Sequence, residues 1–318
     1  MATGFGGAGN AWRGLIFGLV VVAASGADGP AEKPRRIEVS KVENAFRLSP
    51  RLYSGGQPEG PEAFAALKAL GIKMIVSVDG ARPDVEAARE QGIRYVHLPV
   101  GYDGIGRDQA LRLIKTLKAF PGPVFIHCHH GKHRGPTAAA LCGMASDGWG
   151  KEQALAWMRQ AGTSADYRGL FATVGSFGAP TAAELEAVAA DLPERADVPA
   201  LVEVMTRVDE TWDGLKAVQA AGFRAPPAFP DLDPPHEALQ LAEHFRELLR
   251  LPEIRGKGQE FLRALESSEA RATRLESAFR SLRVSPTAEA KAKAGEAFRG
   301  VATACTDCHA QFRDNRKR

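Results

Sequence analysis

Long apolar runs, cysteines and net charge are what this 318-residue chain has least of. The longest apolar run, Leu15 to Ala24, is half the roughly 20 residues that a membrane-spanning helix needs. No later run approaches that length, which excludes a multi-span membrane protein. Net charge is only +3, so a nucleic-acid partner held by phosphate neutralisation is not expected. A composition of 44% hydrophobic and 25% charged residues excludes disorder, and the length suits about two domains. Cysteine occurs at four places, Cys128, Cys142, Cys305 and Cys308. An even count in an exported chain would suggest disulfides, but three of the four have separate chemical contexts. Cys142, within a helical stretch, reads as a small buried hydrophobe.

The run that is present has a meaning of its own. Arg13 precedes it and Ser25-Gly26-Ala27 follows, so residues 1–26 read as a secretory signal peptide. The expectation is an exported, periplasmic protein, membrane-anchored if the signal is not cleaved and without a span once it is. Residues 27–36 are charged and proline-bearing, the composition of a tether.

From Ile37 short apolar strands alternate with amphipathic helices. Strands are expected at Leu52–Ser54, 73–78, 94–99 and Val124–Ile126. Helices are expected from Pro61, over 84–91, over 108–120, and over 136–146 and 151–161. This alternation predicts an α/β domain over 37–175, with a mainly parallel sheet flanked by helices. Residues 176–199, with Gly178, Pro180, Pro193 and Pro199, read as a linker around one short helix. From 200 to 318 only helical periodicity remains, in four apolar stripes broken near 225–235, 252–258 and Ser285-Pro286, which predicts an all-α four-helix bundle.

The densest chemistry lies in His127-Cys128-His129-His130-Gly131-Lys132-His133-Arg134-Gly135-Pro136-Thr137. A cysteine leaving a strand, an arginine six positions on and a helix just after it describe an anion cradle. Loop amides and a helix N-terminus converge there, and both favour a phosphate and a thiolate. The planar fork of Arg134 suits two phosphate oxygens. Nothing within 127–137 is a carboxylate, so a proton donor must come from another loop. Asp79, at the end of a strand, would face the site. Asp108 reads as a helix-start acid.

The pattern Cys128-x5-Arg134 inside His-Cys-x-x-Gly-x-x-Arg resembles the cysteine-dependent protein tyrosine and dual-specificity phosphatase superfamily, over about residues 46–174. The resemblance implies that Cys128 attacks phosphorus, Arg134 binds the equatorial oxygens, and an acid on the loop before the helix preceding the nucleophile strand protonates the leaving oxygen and then activates water. Asp103 is the one carboxylate of that loop, 100–107, with Asp79 its rival. The resemblance implies no separate metal for that step. It also marks a departure: the family places Ser or Thr directly after the arginine, and this chain has Gly135, with Thr137 two residues late. His129, His130, Gly131, Lys132 and His133 complete the phosphate-binding candidates. A histidine-rich rim of this kind resembles members acting on polyphosphorylated small molecules. Three histidines in five residues also invite a metal, but neighbours on a curled loop rarely converge on one ion.

The second motif is Cys305-Thr306-Asp307-Cys308-His309, the C-x-x-C-H signature of covalent c-type haem attachment. Both thiols would hold haem c by thioethers, with His309 as the axial ligand of the iron. Positions 305, 308 and 309 share one helical face. Lying on the fourth helix of a bundle, the motif resembles cytochrome c′ and the related class II cytochromes. That resemblance makes Met205, on the inward face of the first helix, the candidate sixth ligand. Two functions follow from these motifs. One is an exported phosphatase, acting on phosphorylated protein or a small molecule, whose haem domain senses redox state or a small gas. The other is an electron-transfer or gas-binding cytochrome whose α/β domain binds anions with little turnover. A redox partner at the haem and a dimer through the bundle fit either.

Overall fold

The structure, a computed structural model, describes Met1 and residues 33–165, 167–189 and 192–314. The expected signal peptide, Met1 aside, lies outside the described residues. Among the described residues no helix is long and apolar enough to cross a membrane.

Six strands form one sheet: β1 (Arg35–Arg36), β2 (Phe46–Arg47), β3 (Leu52–Gly55), β4 (Met74–Ser77), β5 (Arg94–His97) and β6 (Val124–His127). Their order is β1-β2-β3-β6-β4-β5. β3, β6, β4 and β5 are parallel, and β1 and β2 extend the sheet antiparallel at one edge. The sheet is thus mixed, with the expected parallel part at its centre. The end of the expected tether, Arg35-Arg36, is its edge strand. β6 is buried along its whole length because helices cover both faces. Val124 and Ile126 enter one hydrophobic cluster with Val76, Ile114 and Trp157, and Phe125 enters the opposite one with Phe64, Ile75 and Tyr95. Gly55 and Ser77 both pair with His127, so three strands end level. The loop leaving β6 therefore opens at the carboxyl edge of the sheet, where open α/β sheets bind ligands.

One face carries α1 (Gly60–Ala69) and α2 (Val85–Glu90). The other carries α3 (Arg107–Ala119), α4 (Arg134–Ser146), α5 (Lys151–Gln160) and α6 (Arg168–Ser176). Pro61 lies in the first turn of α1, and Asp84 caps α2 by accepting the Ala87 N–H at 3.1 Å. α4 begins at Arg134, two residues before the start expected at Pro136. A proline in a first helical turn lacks only an N–H that has no helical partner there, so it does not mark the boundary.

The segment 176–199 holds α7 (Ala182–Ala187), closed by a Thr181/Glu184 capping box. It is strapped to the α/β domain rather than hanging free. Val188 O accepts Lys115 Nζ at 2.6 Å, Pro193 O accepts the His97 N–H at 2.8 Å, and Glu184 pairs with Arg107 at 2.8 Å.

Beyond it run α8 (Ala200–Ala220), α9 (Pro234–Arg250), the short α10 (Pro252–Arg255), α11 (Gln259–Val284) and α12 (Ala288–Phe312). Val208, Leu215, Leu241, Phe245, Leu265, Leu275, Phe298 and Val301 share one core, which makes the four long helices a bundle. Trp212 stacks on Phe298 at 4.6 Å and joins the first helix to the last. α8 also faces the α/β domain: Val202 fills the space beside Gly80, just past β4.

Candidate active site

The loop from Cys128 to His133 connects β6 to α4. Gly131 holds φ +66°, and a Cβ there would run into the backbone of Gly55 and Gly56, so only glycine fits. The loop carbonyls are claimed by the scaffold. His129 O accepts the Gln57 N–H at 2.8 Å, Gly131 O the Asn44 amide at 2.9 Å, and Lys132 O the Thr163 hydroxyl at 2.7 Å. The amides of His130, Gly131, Lys132 and His133 have no acceptor among the described residues. With carbonyls turned into the scaffold and α4 starting at Arg134, the loop is a nest of free N–H groups at a helix N-terminus.

Cys128 is 3% and Arg134 7% exposed. Arg134 Nη2 donates to Asp79 Oδ2 at 2.7 Å, and that oxygen also accepts the His129 N–H at 2.6 Å. Asp79 Oδ1 accepts the Ala81 N–H at 2.9 Å. Burial would raise the Asp79 carboxyl, but the Arg134 charge and these amides hold it at about 2. Asp79, the rival proton donor, is therefore an ionised anchor of the arginine. Arg134 Nε, buried, has no partner among the described residues. Under the loop, His127 bonds Tyr95 Oη at 2.6 Å, and burial drives it down to about 4.

Gly135 stands against the nucleophile. A Cβ there would lie 3.4 Å from Cys128 Sγ and 3.1 Å from Cys128 N. Thr137 does not substitute for the absent hydroxyl, because its Oγ1 donates to His133 O at 2.9 Å. Asp103 sits on the loop between β5 and α3, its backbone packed against Gly169 and its carboxylate turned beside Gly101. Its neighbour Tyr102 places its ring 4.3 Å from the Arg134 guanidinium. Asp108 lies in the first turn of α3 and pairs with Arg112 at 3.0 Å.

The rim differs from a simple basic collar. His129 Nε2 lies 3.3 Å and His130 Nε2 3.4 Å from Asp213 Oδ2 on α8, and His130 Nε2 lies 4.0 Å from Asp209 Oδ2. The hydrogen bond to Asp213 raises His129, while burial and the His129 charge lower His130. His133 turns away, against Tyr167 at 4.5 Å, and burial lowers it to about 4. Lys132 is exposed. No spacing in the sequence announces the α8 carboxylates; only their i, i+4 repeat on one helical face could have drawn attention to them.

The second motif lies at the end of α12. Cys305, Cys308 and His309 are half-buried, and Cys305 and Cys308 pack against the bundle core. Burial pushes the Cys305 thiol up to about 11 and His309 down to about 4. Met205, on α8, is half-buried against the same core. Cys142 is fully buried, its thiol pushed up to about 12 by burial. Four residues past His309, Arg313 lays its guanidinium 4.2 Å from the Tyr102 ring centre, and it donates to Tyr167 Oη at 3.2 Å. Tyr102 thus contacts two guanidinium groups, Arg134 of the loop and Arg313 of the bundle. Asp79 neutralises the first, and Asp314, 2.6 Å from Arg313 Nε, the second.

No family model matches the chain. The dual specificity protein phosphatase TpbA of Pseudomonas aeruginosa strain UCBPP-PA14 is 34% identical over 122 residues, 37% of this chain and 55% of that protein. TpbA of strain PAO1 is 33% identical over the same length and shares. The chain thus spans about half the length of the curated relatives it matches. Among solved structures, P. aeruginosa TpbA aligns at 29% identity and TM-score 0.42, covering 47% of this chain and 92% of that one. Its cysteine-to-serine variant in complex with phosphotyrosine aligns at 29% and 0.41, covering 47% and 91%. The core catalytic domain of the S. cerevisiae PP-IP phosphatase SIW14 aligns at 17% and 0.39, covering 44% and 89%. Part of this chain is therefore similar to cysteine-dependent phosphatases.

Proposed function

We propose that the chain hydrolyses phosphate monoesters through a phosphocysteine at Cys128. The observation that carries this is the buried Arg134 Nε without an acceptor, beside a thiol and a run of free loop amides. Those donors match the oxygens of a bound phosphoryl group. The Cys128 thiolate attacks phosphorus as the ester P–O bond breaks, and Asp103 gives its proton to the leaving oxygen. Water then attacks phosphorus, the S–P bond breaks, and Asp103 takes a proton from the water. The Asp209 and Asp213 carboxylates, within 4.0 Å of the rim histidines, disfavour a polyphosphorylated substrate, so a singly phosphorylated ester is the better fit. TpbA, crystallised with phosphotyrosine, makes an aryl phosphate the first substrate to try. The test is p-nitrophenyl phosphate turnover by wild type and Cys128→Ser. Turnover that survives Cys128→Ser excludes the mechanism.

The bundle is proposed to carry covalent haem c, which Cys305 and Cys308 would hold by thioethers, with His309 and Met205 as candidate ligands of its iron. The residues fit the group: two thiols and an imidazole kept neutral by burial share one helical face. A haem held there would supply a redox-active or gas-binding iron. The C-x-x-C-H motif and the signal-like N-terminus together support the reading of an exported, periplasmic protein. Denatured protein from a haem-attaching host should keep its haem mass and absorbance, and Cys305→Ser/Cys308→Ser should lose both. The stack Arg313–Tyr102–Arg134 is the route by which the bundle would bias the phosphatase. Equal turnover in oxidised, reduced and gas-bound protein excludes that regulation.

A further inference from the structure

The rim of the loop holds a group of side chains that neither proposed reaction uses. His129 and His130 aim their Nε2 atoms at one oxygen of Asp213, at 3.3 and 3.4 Å. The three ligand atoms lie within 4.8 Å of one another, the one such group among the described residues. One carboxylate oxygen can take an N–H from both rings, and the same spacing suits coordination of an ion. A tetrahedral ion with bonds of about 2.0–2.1 Å sets its ligands about 3.3–3.4 Å apart, matching both separations.

Asp209, one turn before Asp213, brings a second carboxylate near, its Oδ2 4.0 Å from His130 Nε2. Glu43 Oε2 lies equally far from His130 Nδ1, which adds negative charge. Lys216 pairs with the other oxygen of Asp213 and leaves Oδ2 for the ion. A cavity of about 310 Å³, lined by Glu43, Gln57, Glu59, His129, His130 and Asp213, gives an ion a way in. The adjacency that argued against a metal from the sequence is overcome because the third ligand comes from α8.

We propose that His129, His130 and Asp213 bind a divalent cation of the zinc type and fasten the phosphate loop to α8. Two imidazoles and a carboxylate suit Zn²⁺ over Mg²⁺ or Ca²⁺, which take oxygen shells. The ion would be held next to Cys128 by side chains that neither step of the proposed hydrolysis uses, so its binding can be read without turnover.

The test is Zn²⁺ titration of the full chain by calorimetry, with zinc-edge X-ray absorption of the loaded protein. One equivalent should bind, with a nitrogen and oxygen shell near 2.0–2.1 Å and no sulfur near 2.3 Å. Asp213→Asn and, separately, His130→Ala should each weaken binding roughly tenfold or more. Cys128→Ser and Cys305→Ser/Cys308→Ser should bind as wild type does, which separates this site from the thiols and its failure from that of the phosphatase reading. A sulfur shell, or wild-type affinity in Asp213→Asn, would overturn the proposal.

Discussion

Asp79→Asn separates an anchoring role from an acid role. The side chain is 1% exposed, and its two oxygens take three donors: Arg134 Nη2 at 2.7 Å, the His129 N–H at 2.6 Å and the Ala81 N–H at 2.9 Å. Asparagine keeps the shape but turns one oxygen into a donor facing donors, and leaves Arg134 buried without its counter-charge. Breaking a buried ion pair from one side costs about 3–5 kcal/mol. At roughly 2–4 °C per kcal/mol, the melting midpoint should fall by about 6–20 °C at pH 7. The sign with pH is fixed by the direction of the shift. The folded carboxyl is held at about 2, below its ordinary 3.8, so its contribution is full above about pH 4 and is lost as pH falls through 2. That shift is worth about 2 kcal/mol, so wild type and variant should converge over the same window. In aryl phosphate kinetics Asp79→Asn should lower kcat/KM through a misplaced Arg134 yet keep the general-acid limb. Asp103→Asn should lose that limb and suffer most with poor leaving groups. If the limb disappears in Asp79→Asn and survives in Asp103→Asn, the assignment is reversed and the anchoring argument fails.

Gly135→Ser would place its Cβ 3.4 Å from Cys128 Sγ, within reach for its hydroxyl to stabilise the departing thiolate. A hydrogen bond to a charged group is worth about 1.5–3 kcal/mol, so phosphoenzyme hydrolysis should speed up about 10–100-fold. Rapid-quench kinetics should show a burst in wild type that shrinks in the variant; no burst in wild type means the second step is not slow. His127, buried and held at about 4, stays neutral while its unfolded counterpart titrates near 6.5. Its contribution is whole above pH 6.5 and lost on acidification toward 4, about 3 kcal/mol, and His127→Gln should flatten unfolding free energy over that window. Arg313→Ala removes the guanidinium from Tyr102 and should cancel any oxidised–reduced difference in turnover while leaving turnover itself; a difference that persists excludes this route.

What the sequence made legible lay within single elements. Cys128-x5-Arg134 and the helical stripes are local spacings with local causes, and each predicted element has a counterpart close to its expected bounds. The edge strand β1 was hidden in a tether-like composition, since two arginines carry no strand pattern of their own. Asp79 could be placed near the site, at a strand end, but its task could not be read. That task depends on β4 lying beside β6 in register, which brings a carboxylate 55 positions away onto Arg134.

The contacts at the rim were hidden for a stronger reason: they belong to a junction between two regions whose patterns are independent. The sequence presents two motifs about 170 residues apart, and nothing in either refers to the other. In the fold both meet the same few side chains. Asp209 on α8 lies close enough to bear on the charge of His129 and His130 and of Cys305 as well. Tyr102 contacts the phosphate-loop arginine and the arginine that ends the C-x-x-C-H helix. A free linker would predict two sites that titrate and bind separately. The strapping of 176–199 to the α/β domain, with α8 packed over Gly80 and Asp213 over the histidines, predicts that they do not. A double-mutant cycle between Tyr102→Leu and Arg313→Ala, read as unfolding free energy, measures that junction directly. A coupling of about 0.5–2 kcal/mol is expected for a half-buried cation–π pair, and additive effects would mean that the two arginines merely share a neighbour.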